Sequence, residues 1–144
     1  MNLSGILKGK GAHVAHVAPS CTIAEVADAL SRHRIGAVLV LDEDERLLGV
    51  LSERDIVRCL ARHGGSVLEM TAGQIMTRSP RTVPPATSVA EAMALMTEGR
   101  FRHLPVVEGG RLVGIVSIGD VVKARLDLQE HEVDSLRAYV AGAA

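Results

Sequence analysis

A tandem repeat constrains this chain more than any other feature. Thr22, Ile23, Ala24, Glu25 and Val26 return as Ser88, Val89, Ala90, Glu91 and Ala92. At the same spacing Leu30 falls on Met96, Arg34 on Arg100 and Val40 on Val106. One residue is lost in the following turn. After it Gly49 falls on Gly114, Ser52 on Ser117 and Asp55 on Asp120. A match this long with one turn deletion marks a duplication, so the fold must use the same unit twice.

Each copy predicts the same elements. Thr22 and Ser88 stand three residues before Glu25 and Glu91, the spacing of a capping box at a helix start. Ile23, Val26, Ala27 and Leu30 then form an apolar stripe at helical spacing, repeated by Val89, Ala92, Met93 and Met96. Two apolar runs around a polar turn follow, 37–41 with 47–51 and 103–107 with 112–116, and predict β-hairpins. A second helix begins at Ser52 or Ser117. Short strands are expected before the first helices, at His13–Val17 and Arg81–Pro84. Gly64 and Gly65 suit a helix C-terminus, and the prolines at 80, 84 and 85 keep the next stretch extended. The expected fold class is α+β, with two β-α-β-β-α repeats packed sheet to sheet about a pseudo-two-fold axis. The boundaries expected are an N-terminal helix or linker at 1–11, repeat one at 12–65, a linker at 66–80, repeat two at 81–126 and a helical extension at 127–144.

The chain has 144 residues, 47% hydrophobic and 23% charged, enough to build a core. Phe101 and Tyr139 are the only aromatics, so the core is aliphatic and a stacking platform for nucleic acid is excluded. A net charge of −1 leaves no footprint for a polyanion or an acidic membrane. No apolar run approaches the roughly 18 residues of a membrane span, and the N-terminus lacks the pattern of a signal peptide. Two cysteines in such a chain imply reduced thiols and a cytoplasmic setting.

Two constellations carry candidate chemistry. Ser52–Asp55 and Ser117–Asp120 are capping boxes in their own right. The same residues also place a hydroxyl and a carboxylate at a helix N-terminus, where free N–H groups suit a phosphate and a carboxylate suits paired ribose hydroxyls. Arg102 and His103 lie in a run, 100–105, that is either a solvated helix-end cluster or a phosphate site. The aligned positions in copy one are Gly36 and Ala37. No metal or catalytic site is expected. His13 and His16 fall on opposite faces of a strand, the other histidines lie in separate elements, and Cys59 sits inside an amphipathic helix without a base.

On 49–55, 104–107 and 114–120 the sequence resembles a tandem pair of CBS (cystathionine-β-synthase) domains, a Bateman module, over roughly 12–126. The stand-alone bacterial proteins of that family are similar to it. The resemblance implies a regulatory or sensor module that binds an adenine nucleotide in a cleft between the repeats and catalyses nothing. AMP or NAD(H) is expected ahead of ATP or ADP. It assigns Asp55 and Asp120 to ribose and points Arg102 and His103 at phosphates. The nucleotide they serve is held by Asp55 or by Asp120. Without aromatics, adenine is expected against aliphatic residues, with Ile35, Gly36, Ala37, Leu104, Val83 and Ile118 as candidates and Thr82 adding a hydroxyl. The output goes to an unidentified target protein. The competing reading is a structural dimerisation module with empty clefts.

The final helix, from about Ile118 towards Tyr139, carries Val122, Leu126, Gln129, Val133, Leu136 and Val140 as a heptad seam. A homodimer through this helix is expected, with Leu3, Ile6 and Leu7 supplying part of the partner surface.

Overall fold

The computed structural model of the chain describes residues 1–10 and 14–143. His13, expected to open the first strand, lies outside the described residues, as does the boundary drawn between residues 11 and 12. The first repeat contains β1 (His16–Val17), α2 (Ile23–His33), β2 (Ala37–Leu41), β3 (Leu47–Ser52) and α3 (Glu53–His63). The second contains α5 (Val89–Gly99), β5 (His103–Glu108), β6 (Arg111–Ser117) and α6 (Ile118–Ala143). Before them lies α1 (Leu3–Lys10). Between them lie a 3-10 turn (Gly64–Glu69), α4 (Ala72–Ile75) and β4 (Thr77–Arg78).

Local chemistry sets these limits twice over. The Thr22 hydroxyl accepts from the Glu25 N–H and the Ser88 hydroxyl from the Glu91 N–H, opening α2 and α5. Both helices stop on an arginine in the left-handed region, Arg34 at φ 53° and Arg100 at φ 54°, where glycine is usual. Gly64 ends α3 differently, at φ 65° and ψ −153°, a region open essentially to glycine alone. β2 pairs antiparallel with β3, and β5 with β6. The strand expected at Arg81–Pro84 is reduced to one parallel bridge from Val83 to Val106. Pro84 and Pro85 have no N–H to extend the ladder.

Each repeat is completed by a helix from outside it. The Ala72 and Gly73 N–H groups of α4 donate to the carbonyls of Cys21 (2.8 Å) and Pro19 (2.9 Å), and the Ile23 N–H donates to Met70. The Leu3 and Ser4 N–H groups of α1 donate in the same way to Thr87 (2.9 Å) and Pro85 (3.0 Å), and the Val89 N–H donates to Met1. So α1 precedes repeat one but covers repeat two. Leu3 and Ile6 are buried there with Val121 and Ala124 of α6. This corrects the expectation that Leu3, Ile6 and Leu7 supply a partner surface: burial in their own chain takes that surface away.

Each repeat has its own core, Ile23, Val26, Val38, Val40 and Leu51 in one, Val89, Met96, Leu104, Val106 and Val116 in the other. A third cluster joins the sheets face to face. Ala37, Leu39, Leu41 and Val50 of repeat one pack with Leu112 and Ile115 of repeat two. The strand ends around this contact form the clefts.

Gly49 and Gly114 mark equivalent close approaches. A Cβ on Gly49 meets the Thr77 carbonyl oxygen at 2.6 Å and Met76 Sδ at 2.7 Å. One on Gly114 meets only Leu7 side-chain atoms, the nearest at 2.7 Å. Backbone yields less than a leucine tip. Gly49→Ala is therefore expected to destabilise by about 1–3 kcal/mol, and Gly114→Ala by clearly less. Urea unfolding of the two variants checks the order.

Candidate functional site

The site begins at the N-terminus of α3. The Asp55 carboxylate accepts from the Ser52 N–H (2.9 Å) and Ser52 hydroxyl (3.0 Å), both through Oδ2. The Asp55 N–H donates back to Ser52 Oγ at 3.3 Å. This is a complete capping box. It leaves Oδ1 of Asp55 without a donor among the described residues, and Asp55 lines a cleft between the two repeats. In the first turn of α3 the Glu53 N–H donates to the Gly36 carbonyl (2.9 Å) and the Asp55 N–H to Ser52, so the Arg54 N–H and the helix's partial positive charge are what the turn adds.

Around Asp55 the cleft wall is cationic. Arg54 and Arg58 stand one turn apart on α3, Arg81 follows β4, and Arg100 and Arg102 come from the turn after α5. None of these five arginines has an ion-pair partner among the described residues. Glu53 and Asp55 are the only carboxylates in the lining. Thr77, Pro80, Val50 and Phe101 complete it, with Gly36 at its floor beside His103. The Arg102 carbonyl accepts from the Ile118 N–H at 2.8 Å, which fixes the turn carrying its side chain. His103 is half-buried, and the desolvation pushes its imidazole below the ordinary histidine value against the pull of the nearby Glu53.

The structure therefore brings Ser52, Asp55, Gly36, Arg102 and His103 into one cleft. It places Arg102 and His103 with Asp55, the alternative that sequence left open. The other candidates lie elsewhere. Leu104 is fully buried and Val83 nearly so in the core of repeat two, and Ala37 lies in the contact between the sheets. Such burial leaves them no surface for a ligand. Ile35 packs against the core of repeat one. Thr82 and Ile118 are exposed outside this lining.

Ser117 and Asp120 repeat the box at α6, the Ser117 N–H donating to Asp120 Oδ2 at 2.8 Å. Here the same oxygen also accepts from Lys10 Nζ at 2.7 Å. Burial alone raises the Asp120 carboxyl, but the hydrogen bonds from Lys10 and Ser117 outweigh it and hold it below its ordinary value.

Sequence reasoning placed Arg100 in the 100–105 run and missed Arg54, Arg58, Arg81 and Lys10. The available signal was one of contrast: Arg54 and Arg81 align with Gly119 and Ala15, while Arg58 keeps a cation at Lys123. A cationic residue kept in one copy and dropped from the other marks a cleft that differs between them.

Two facing repeats enclose a cleft built around a helix N-terminus, two carboxylates and five arginines without ion-pair partners among the described residues, which makes the chain a tandem-repeat module. The CBS domain family matches the chain twice, at residues 12–62 and 72–127, and the chain belongs to that family as a CBS pair. The mitochondrial CBS domain-containing protein CBSX3 of Arabidopsis thaliana is 35% identical, over 97% of this chain and 72% of its own. The CBS-domain containing protein ATU1752 from Agrobacterium tumefaciens has a similar crystal structure, with TM-score 0.84 and 44% identity over 86% of this chain and 92% of that one. The CBS domain protein PAE2072 from Pyrobaculum aerophilum, complexed with AMP, superposes with TM-score 0.74 and 33% identity over 83% of this chain and 89% of its own.

The half-buried His103 has a testable signature. Its folded-state pKa lies below the unfolded value, so the unfolded chain takes the proton first. The stability contributed by the neutral ring is present above about 6.5 and is lost as pH falls below it. His103→Gln is expected to shrink the difference in urea midpoint between about pH 7.5 and about pH 5.5. An unchanged difference counts against burial of the neutral ring.

Proposed function

We propose that this CBS pair is a regulatory sensor that binds one class of ligand, an adenine nucleotide, in the Asp55 cleft, and passes the signal to a separate target protein. One observation carries the reading: Asp55 keeps an open acceptor oxygen at a helix N-terminus that faces five unpaired arginines. A ribose supplies the donors for Oδ1, and phosphates supply the charge the arginines lack. The AMP bound by the related Pyrobaculum protein supports the same ligand class. Sequence put AMP and NAD(H) first. Five arginines against two carboxylates favour more phosphate than AMP carries, so ADP, ATP and the dinucleotide NAD(H) move ahead of it. The role proposed is binding rather than catalysis: the Ser52 hydroxyl beside Asp55 is engaged in capping α3.

The long α6 supports a homodimer. It has 26 residues where its counterpart α3 has 11. Its seam residues Val122, Leu126, Val133, Leu136 and Val140 are all exposed, the last two more than 60%. An apolar seam with one polar residue, Gln129, and charged flanks is the pattern of a helix that pairs with its like.

Two measurements test these readings. Calorimetric titration is expected to show affinity rising from AMP to ATP, with saturating ligand at about 100 times Kd stabilising the fold by about 2.7 kcal/mol. Asp55→Ala is expected to weaken binding about tenfold or more, at a cost to stability of about 1 kcal/mol or less. Absence of heat and of any melting shift with all four nucleotides favours the structural module with empty clefts. Light scattering is expected to give twice the 15.2 kDa chain mass, and truncation after Arg125 to weaken the dimer. A full-length monomer removes α6 from that role.

A further inference from the structure

The two Ser-x-x-Asp boxes are equivalent in sequence and different in company. Asp55 bonds only to Ser52. Asp120 accepts from Lys10 Nζ at 2.7 Å, and the same ammonium donates to the Ile115 carbonyl at 3.0 Å. Lys10 is aimed there by its helix. The burial of Leu3 and Ile6 anchors α1 on repeat two, and Leu7 lies against Gly114 as Met76 lies against Gly49. Beyond those contacts the copies part. After Met76 the chain extends as β4 and pairs with β3. After Leu7 it stays helical to Lys10, and the last turn carries the ammonium to Asp120.

The surroundings of the second box diverge in the same direction. The positions equivalent to Arg54, Arg81 and Arg102 are Gly119, Ala15 and Gly36, so three of the cations that line the first cleft have no counterpart. Lys123 and Arg34, the counterparts of Arg58 and Arg100, are the cations that remain there, and the Asp120 carboxylate already carries an ammonium on Oδ2.

We infer that Lys10 is a built-in counter-ion at the second box, its ammonium on the capping oxygen Oδ2 neutralising the Asp120 carboxylate whose counterpart Asp55 takes the ribose, so that each chain binds one nucleotide. This rests on the nucleotide reading of the Asp55 cleft. The duplicated module is thereby a single-site receptor with its second site closed by its own N-terminal helix.

Equilibrium dialysis tests it, with ATP to count the first cleft and adenosine, which needs no phosphate cations, to detect the second. The wild-type chain is expected to take one equivalent of ATP. Asp55→Ala is expected to lose about tenfold or more in affinity for ATP and to take up no adenosine at millimolar concentration. Adding Lys10→Ala to that variant frees the Asp120 carboxylate and is expected to restore one equivalent of adenosine. Lys10→Gln, which keeps the side-chain length and removes the charge, is expected to do the same. Two equivalents of ATP on the wild-type chain, or no adenosine site in either double variant, overturn the inference and leave the nucleotide reading intact. No ATP uptake by the wild-type chain overturns both.

Discussion

The contact between the two hairpins organises everything around it. All five residues of β2 are buried, although an antiparallel hairpin usually offers one face to water. Alternation explains it. Val38 and Val40 face the core of their own repeat, while Ala37, Leu39 and Leu41 face the other repeat. Neither repeat can leave that second face exposed, so the sheets close on each other. The clefts are the margins of this closure, where the strands end and α3 and α6 begin. His103 starts β5 at the position Ala37 holds in β2. One exchange at the edge of an apolar contact thus turns a packing position into a cleft wall.

Divergence after duplication is concentrated at those margins. The cores keep their pattern: Val40 and Val106, Gly49 and Gly114, Leu51 and Val116 hold equivalent places. The charges do not. Repeat one gathers unpaired arginines around Asp55, which repel one another until an anion arrives. Repeat two pairs its single carboxylate within the chain. The first arrangement gives up stability to be ready for a ligand, and the second is already satisfied. On the proposed reading, that division is what two sites of one ancestry show when only one keeps its ligand.

Much of the fold was legible because it is written in local chemistry. The capping boxes, the helical stripes, the hairpins and the glycine after α3 each follow from a few neighbouring residues, and the repeat doubled every signal. The N-terminal helix was not legible in the same way. Met1–Leu7 resembles Met70–Met76 mainly in Met1, Ile6 and Leu7, too few matches to reveal that both segments make the same backbone bonds to opposite repeats. At the site, Ser52, Asp55, Arg102 and His103 stood out by motif. Arg54, Arg58 and Arg81 come from separate elements and look like solvated charge until the fold sets them around one space. Leu104 and Val83 were misplaced because apolar character alone does not distinguish a cleft wall from a core.

The swapped position of α1 ties the ends of the molecule together. It hydrogen-bonds to the segment before α5, buries Leu3 and Ile6 under α6, and through Lys10 holds the carbonyl of Ile115, whose side chain lies in the contact between the sheets. Arg102 lies one strand away. Its side chain lines the first cleft while its carbonyl accepts from the first N–H of α6. His103 completes the link, since it feels Glu53 in the first cleft and both Lys10 and Asp120 in the second. A charge arriving among the arginines therefore acts on residues whose backbone is shared with the helix that Lys10 helps to seat. Any difference in how α1 sits with and without ligand is a difference in binding free energy, and the reverse holds with the same magnitude. In a chain where α1 covers the repeat farther along the sequence, neither half has a complete core alone, and occupancy of one cleft is felt by a single cooperative unit.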